Sequence, residues 1–121
     1  METSVSDLNE KILLRELMSC SQCQNEVPFI KIKVPQNLKE AIITAKSAVE
    51  SGCLVYGGTG NFADPFKSIA SGSGWGDFVS NYFTCASCGQ WFHLHAETYH
   101  GSGGALERIP SQPQNIQNDA Y

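Results

Sequence analysis

Charge is scarce in this chain. Only 17% of its 121 residues are charged, against about 25% in an average globular domain. Bases are the scarcer sign, with 8 Lys and Arg against 12 Asp and Glu and a formal charge of −4 at pH 7. That balance excludes a general polyanion-binding role. The stretch from Phe78 to Tyr99 contains no Lys or Arg at all, so it offers nothing to phosphates. No apolar run approaches the roughly 20 residues that cross a bilayer. The first ten residues carry Glu2, Asp7 and Glu10 and no base, which is unlike the basic n-region and apolar run of a secretory signal. A cytoplasmic location is therefore expected, where thiols stay reduced. Paired carboxylates are also missing: Asp64, Asp77 and Glu97 stand alone.

What the chain does have is cysteine in a pattern. There are five, an odd number that argues against a closed disulfide framework. Four form two Cys-x-x-Cys pairs, Cys20–Cys23 and Cys85–Cys88. Two intervening residues let a tight turn aim both sulfurs at one point, and two facing turns surround a tetrahedral Zn²⁺ with four thiolates. Gly89 follows the second pair and supplies the backbone angles such a turn requires. The expectation is one structural zinc held by Cys20, Cys23, Cys85 and Cys88, with Cys53 a small core residue. Cys85, Cys88 and Gly89, set between two strand-like segments, resemble the knuckle and hairpin of a zinc ribbon. The spacing departs from the compact ribbon, because 61 residues separate Cys23 from Cys85 where about 15–20 are usual.

The remaining pattern predicts one α+β domain over residues 1–109 and a flexible tail over 110–121. A helix is predicted for Ser6–Met18, with Asp7 and Glu10 as a capping box. Val27–Val34 alternates as a half-buried strand between prolines. Asn37–Ser51 is the strongest helix, with Leu38, Ala41, Ile42, Ala45, Ala48 and Val49 on one stripe, a Lys46–Glu50 pair outside it and Gly52 as its stop. Strands are predicted at Cys53–Tyr56, Phe78–Thr84, Trp91–Tyr99 and Ala105–Ile109, with a glycine-rich loop over 57–76. The Gly57–Gly60 run lacks the Lys-Ser/Thr ending of a phosphate loop. The architecture expected is an antiparallel sheet with one central helix, an N-terminal helix and a zinc-ribbon hairpin.

All three histidines follow the second cysteine pair. His93 and His95 fall on one strand face with Trp91 and Glu97, and His100 lies in the next turn. Two uses are open. A metal held by His93, His95 or His100 could activate water, making a zinc-dependent hydrolase with Glu97. Alternatively, the histidines join Trp75, Trp91 and Tyr99 in a protein-binding face, where Trp and Tyr are the usual anchors. A closed Cys₄ site favours the second, non-enzymatic use. A ribbon accessory factor in transcription or RNA processing is a further alternative, which the missing bases disfavour. In size, acidity and lack of catalytic residues the chain is similar to the small immunity proteins that neutralise bacterial toxins. That similarity implies a protein partner, a toxin or effector, and no membrane or nucleic acid.

Overall fold

The computed structural model describes residues 20–119, and the helix expected over Ser6–Met18 lies outside them. The elements in chain order are α1 (Ser21–Glu26), β1 (Ile30–Ile32), α2 (Pro35–Ser51), β2 (Leu54–Thr59), α3 (Phe66–Ala70), β3 (Phe78–Cys85), β4 (Trp91–Glu97) and β5 (Gly103–Ile109). The five strands form one antiparallel sheet in the order β1-β5-β4-β3-β2. The expected α+β class is what folds. From β2 to β5 the chain is a meander. β1 and β2 lie at opposite edges, so α2 joins the two edges across one face of the sheet.

Side-chain period explains the two layers. Successive residues of a strand point to opposite faces, and in β3 and β4 one set is buried throughout: Val79, Asn81, Phe83 and Cys85, then Phe92, Leu94 and Ala96. The stripe of α2 buries Leu38, Ala41, Ile42, Ala45 and Ala48 toward that face. Phe66 of α3 joins the same core, edge-on to Phe83 at 4.9 Å between ring centroids. The opposite face of the sheet carries Ser80, Tyr82, Thr84, Trp91, His93 and His95, all half-buried. We call it the open face.

Helix α2 starts two residues before its predicted limit. Proline is tolerated in a first helical turn because its missing N–H would have no partner there. The Asn37 side chain accepts the N–H groups of Lys33 and Val34 at 3.0 and 3.1 Å, which locks the turn. The Lys46–Glu50 pair is not among the ion pairs of the described residues.

Four expectations are corrected. The first cysteine pair opens a short helix instead of forming an isolated tight turn, and Val27 becomes its buried C-terminal cap. The strand after it therefore shrinks to Ile30–Ile32. Gly57–Thr59 belongs to β2 rather than to a loop, because an edge strand absorbs glycine at a bulge, here between Tyr56 and Gly58. The loop that remains is pinned by α3, where Phe66 and Ile69 are buried. Finally, the segment after β5, expected to be a flexible tail, returns to the sheet: Gln117 forms an antiparallel bridge with Thr59.

Candidate metal centre and the open sheet face

The two Cys-x-x-Cys pairs meet at one end of the sheet. Cys20 is the extended N-cap of α1 and Cys23 sits one turn inside it. A helical turn brings residues three apart onto the same side, so this pair uses a helix start where the second uses a hairpin. Cys85 ends β3 and Cys88 follows in the turn. The Gly89 N–H donates to the Cys85 carbonyl at 2.9 Å, and the Cys85 N–H donates to the Gln90 carbonyl at 2.9 Å. Gly89 has φ of 79°, and a Cβ there would touch nothing. Backbone angle, not space, requires the glycine.

The sulfurs pair across the two knuckles, Cys20 with Cys85 at 3.5 Å and Cys23 with Cys88 at 3.7 Å. All four lie within 4.8 Å of one another. A disulfide would need about 2.05 Å. A tetrahedral ion with metal–sulfur bonds of about 2.3 Å has sulfur–sulfur edges of about 3.8 Å, and the observed separations suit it. The four cysteines can hold a metal ion, and among the described residues they are the only such group of His, Cys, Asp or Glu.

Electrostatics at the centre are unequal. The Cys23 backbone amide and the neighbouring sulfurs hold the Cys20 thiol down, at about 7, despite some desolvation. Burial pushes the Cys23 thiol well above its ordinary range, with the other sulfurs adding to the effect. Burial also raises Cys85. Adjacent thiolates repel in this apolar pocket, and a divalent cation is the group that relieves the repulsion. Cys53 is buried nearby, pushed up to about 11 chiefly by desolvation and then by the Glu26 carboxylate. It is outside the four-sulfur group, as expected of a core thiol.

The six residues expected to form one binding face do not all share it. Trp91, His93 and His95 project together from β4 onto the open face. There the Tyr82, His93 and His95 rings stack at 4.2 and 4.6 Å. His93 Nε2 lies 2.8 Å from Ser80 Oγ, and His95 Nε2 lies 2.7 Å from a Glu107 carboxylate oxygen. Burial, with His95 beside it, pushes His93 down to about 4, so its imidazole is neutral at pH 7. Trp75 is on the other side of the sheet, lining a cavity of about 120 Å³ with Val34, Leu38 and Ala96. Tyr99, 70% exposed, and His100 lie in the β4–β5 turn, where their rings meet edge-on at 4.6 Å. That turn is at the opposite end of β4 from the cysteines, roughly 20 Å away at about 3.3 Å per residue. His100 is near Glu97 instead, whose carboxylate accepts the His100 backbone N–H at 2.6 Å. The three histidines therefore form no joint metal group, and a hydrolytic centre built from His93, His95 and His100 is not assembled.

Ser80 and Glu107 were not expected as partners of the histidines. The signal was present in the knuckle. Once Cys85–Cys88 closes a hairpin, counting outward sets Thr84 against Trp91, Tyr82 against His93 and Ser80 against His95. Glu107 opposite His93 depends on β5 register, which no local pattern shows.

No family model, curated protein or solved structure matches this chain. No helix among the described residues is long and apolar enough to cross a membrane.

Proposed function

We propose that the protein is a non-enzymatic binding module stabilised by one structural zinc, and that it acts by docking a protein partner on the open sheet face. The observation that carries this reading is the closed set of four sulfurs. A fully thiolate-ligated zinc keeps no position for water or substrate, which is the mark of a structural site. When bound, the zinc supplies a cross-link between the start of α1 and the β3–β4 turn. The Cys85–Gly89 knuckle on its hairpin supports a zinc-ribbon relationship, while the helical first pair is a departure from that pattern. Trp91, Tyr82 and the stacked histidines then form an amphipathic surface of the kind partners anchor on.

The partner in this reading is a toxin or effector with a basic surface, which the protein neutralises in the cytoplasm. The formal charge of −4 and the absence of Lys and Arg from Phe78 to Tyr99 favour fast association with a basic protein. The test is affinity purification from the native host with the zinc-loaded chain and with a Thr84→Arg variant. Thr84 is half-buried beside Trp91, so the arginine disturbs the face without entering the core. A stoichiometric basic partner lost by the variant, with zinc content unchanged, is the expected result. Equal retention by both proteins refutes the open face as the docking surface. Turnover on a hydrolase substrate panel, abolished by His93→Ala with zinc retained, would replace the binding reading with an enzymatic one.

A further inference from the structure

The returning C-terminal segment occupies a site with its own chemistry. β2 is an edge strand, and edge strands leave backbone donors and acceptors free to pair with another segment. Gln117 uses one rung of that edge, with Thr59 N–H to Gln117 carbonyl at 2.9 Å and Gln117 N–H to Thr59 carbonyl at 2.8 Å. Two residues further on, the Asp119 carboxylate meets two hydroxyls. Thr59 Oγ1 donates to Oδ1 at 2.7 Å, and Tyr56 Oη reaches both carboxylate oxygens at 2.9 and 3.1 Å.

The receiving groups are built into the protein, not displayed on a loose surface. Thr59 is 3% exposed. Tyr56 Oη is held from behind by the Asn81 amide at 3.3 Å, and Asn81 is fully buried. Among the described residues the Asn81 Oδ1 has no hydrogen-bond partner, and an amide kept buried at that cost fixes the hydroxyl's position. Gly58 completes the floor. Its φ is 145°, and a Cβ there would stand 2.5 Å from the Gln117 carbonyl oxygen and 2.9 Å from Ile116. A bare backbone lets the incoming strand approach closely.

We propose that the outer edge of β2 is a docking site for an extended, acidic segment of a partner protein, and that residues 116–119 fill it in the resting chain. The recognised pattern is a strand residue that pairs with Thr59, followed two positions later by Asp or Glu. Strand addition of this kind draws affinity from backbone hydrogen bonds and specificity from alternate side chains. Among the described residues the chain's own segment pairs at one bridge, whereas a partner strand can run the length of β2 and displace it. Tyr56 and Thr59 pair with the buried residues Phe83 and Asn81 of β3, on the helix-covered side. The carboxylate-binding hydroxyls therefore lie on the opposite side of the sheet from the open face.

The probe is a fluorescein-labelled peptide with the sequence of residues 112–121, followed by fluorescence anisotropy. A chain ending at Gln112 is expected to bind it, and the full chain at least tenfold more weakly, because the tethered segment competes. The same peptide with Asp119→Ala is expected to bind the shortened chain at least tenfold more weakly. Full-length protein carrying Asp119→Ala keeps every residue of the sheet and should regain binding to the unaltered peptide, which guards against a shortened chain that fails to fold. No binding to either opened protein overturns the proposal. Equal binding of the Asp119→Ala peptide overturns the carboxylate recognition. A dimer of the full chain in sedimentation that dissociates on adding peptide would instead assign the site to a second copy of this chain.

Discussion

Removing the metal tests the site most directly, because the structure sets the size of the effect. Cys20 and Cys85 are 65 residues apart in sequence, so a metal ion held by the four sulfurs, zinc in the proposed reading, closes a long loop. Cross-linking a loop of that length removes about 4 kcal/mol of chain entropy from the unfolded state on the polymer model. That is a lower bound, since apparent zinc affinities of small modules amount to about 10–16 kcal/mol. A domain of this size has a net stability of only about 5–15 kcal/mol. Loss of the cross-link should therefore lower Tm by about 20 °C, at roughly 4–8 °C per kcal/mol. The buried Cys23 and Cys85 belong to the hydrophobic core, and bare thiols there lose their shared cation, which adds to the loss. The assay is circular-dichroism melting of protein purified without chelator, before and after stripping with a high-affinity chelator, beside metal analysis. One zinc per chain and a drop of that size are expected. Cys88→Ser, at the half-buried corner of the cluster, should reproduce it. A stripped protein that melts within a few degrees of the loaded one, or a preparation with far less than one zinc per chain, would refute the reasoning.

Three further outcomes follow from individual side chains. His93 is held at about 4, below its ordinary 6.5, so the unfolded chain binds the extra proton first. Its neutral, buried state contributes fully above pH 6.5, and stability falls as pH drops from 6.5 toward 4; the contribution is at most about 3 kcal/mol. Urea unfolding of the wild type and of His93→Gln, which keeps a partner for Ser80, should show the smaller acid loss in the variant, and parallel profiles would refute the role. Cys53→Ala should leave one zinc per chain and cost about 1 kcal/mol, read by metal analysis and melting, because Cys53 is a buried thiol outside the four-sulfur group. Phe66→Ala should cost about 3–5 kcal/mol in chemical denaturation, since its ring is fully buried between Tyr56 and Phe83. A cost below 1 kcal/mol would mean that α3 does not pin the glycine-rich loop.

Several features were legible in local sequence because they depend on geometry that repeats within a few residues. The alternation of β3 and β4 follows from the two-residue period of a strand. The buried stripe of α2 follows from the 3.6-residue period of a helix. The Cys85–Cys88 knuckle follows from a turn that only glycine at position 89 completes. The pairing of two Cys-x-x-Cys motifs was readable too, because four soft ligands in two tight pairs share few other uses.

Tertiary structure decided what lies far apart in sequence. The tight turn expected at Cys20–Cys23 gave way to a helix start, because Cys23 and Val27 are pulled into the core. The candidate binding face split when α2 covered one side of the sheet, taking Trp75 with it and leaving Trp91, His93 and His95 on the other. Gln117 and Asp119 carry no local signal of order. They are held by an edge strand some 58 residues upstream, through the Tyr56 and Thr59 hydroxyls, which share the helix-covered side only because β2 bulges between Tyr56 and Gly58. The sequence by itself determined the scarcity of charge and the absence of bases from Phe78 to Tyr99, since composition does not depend on folding. Where that base-free hairpin points was settled by packing: Val79, Phe83, Phe92 and Leu94 are buried under α2, and Tyr82, Trp91, His93 and His95 turn to the open face.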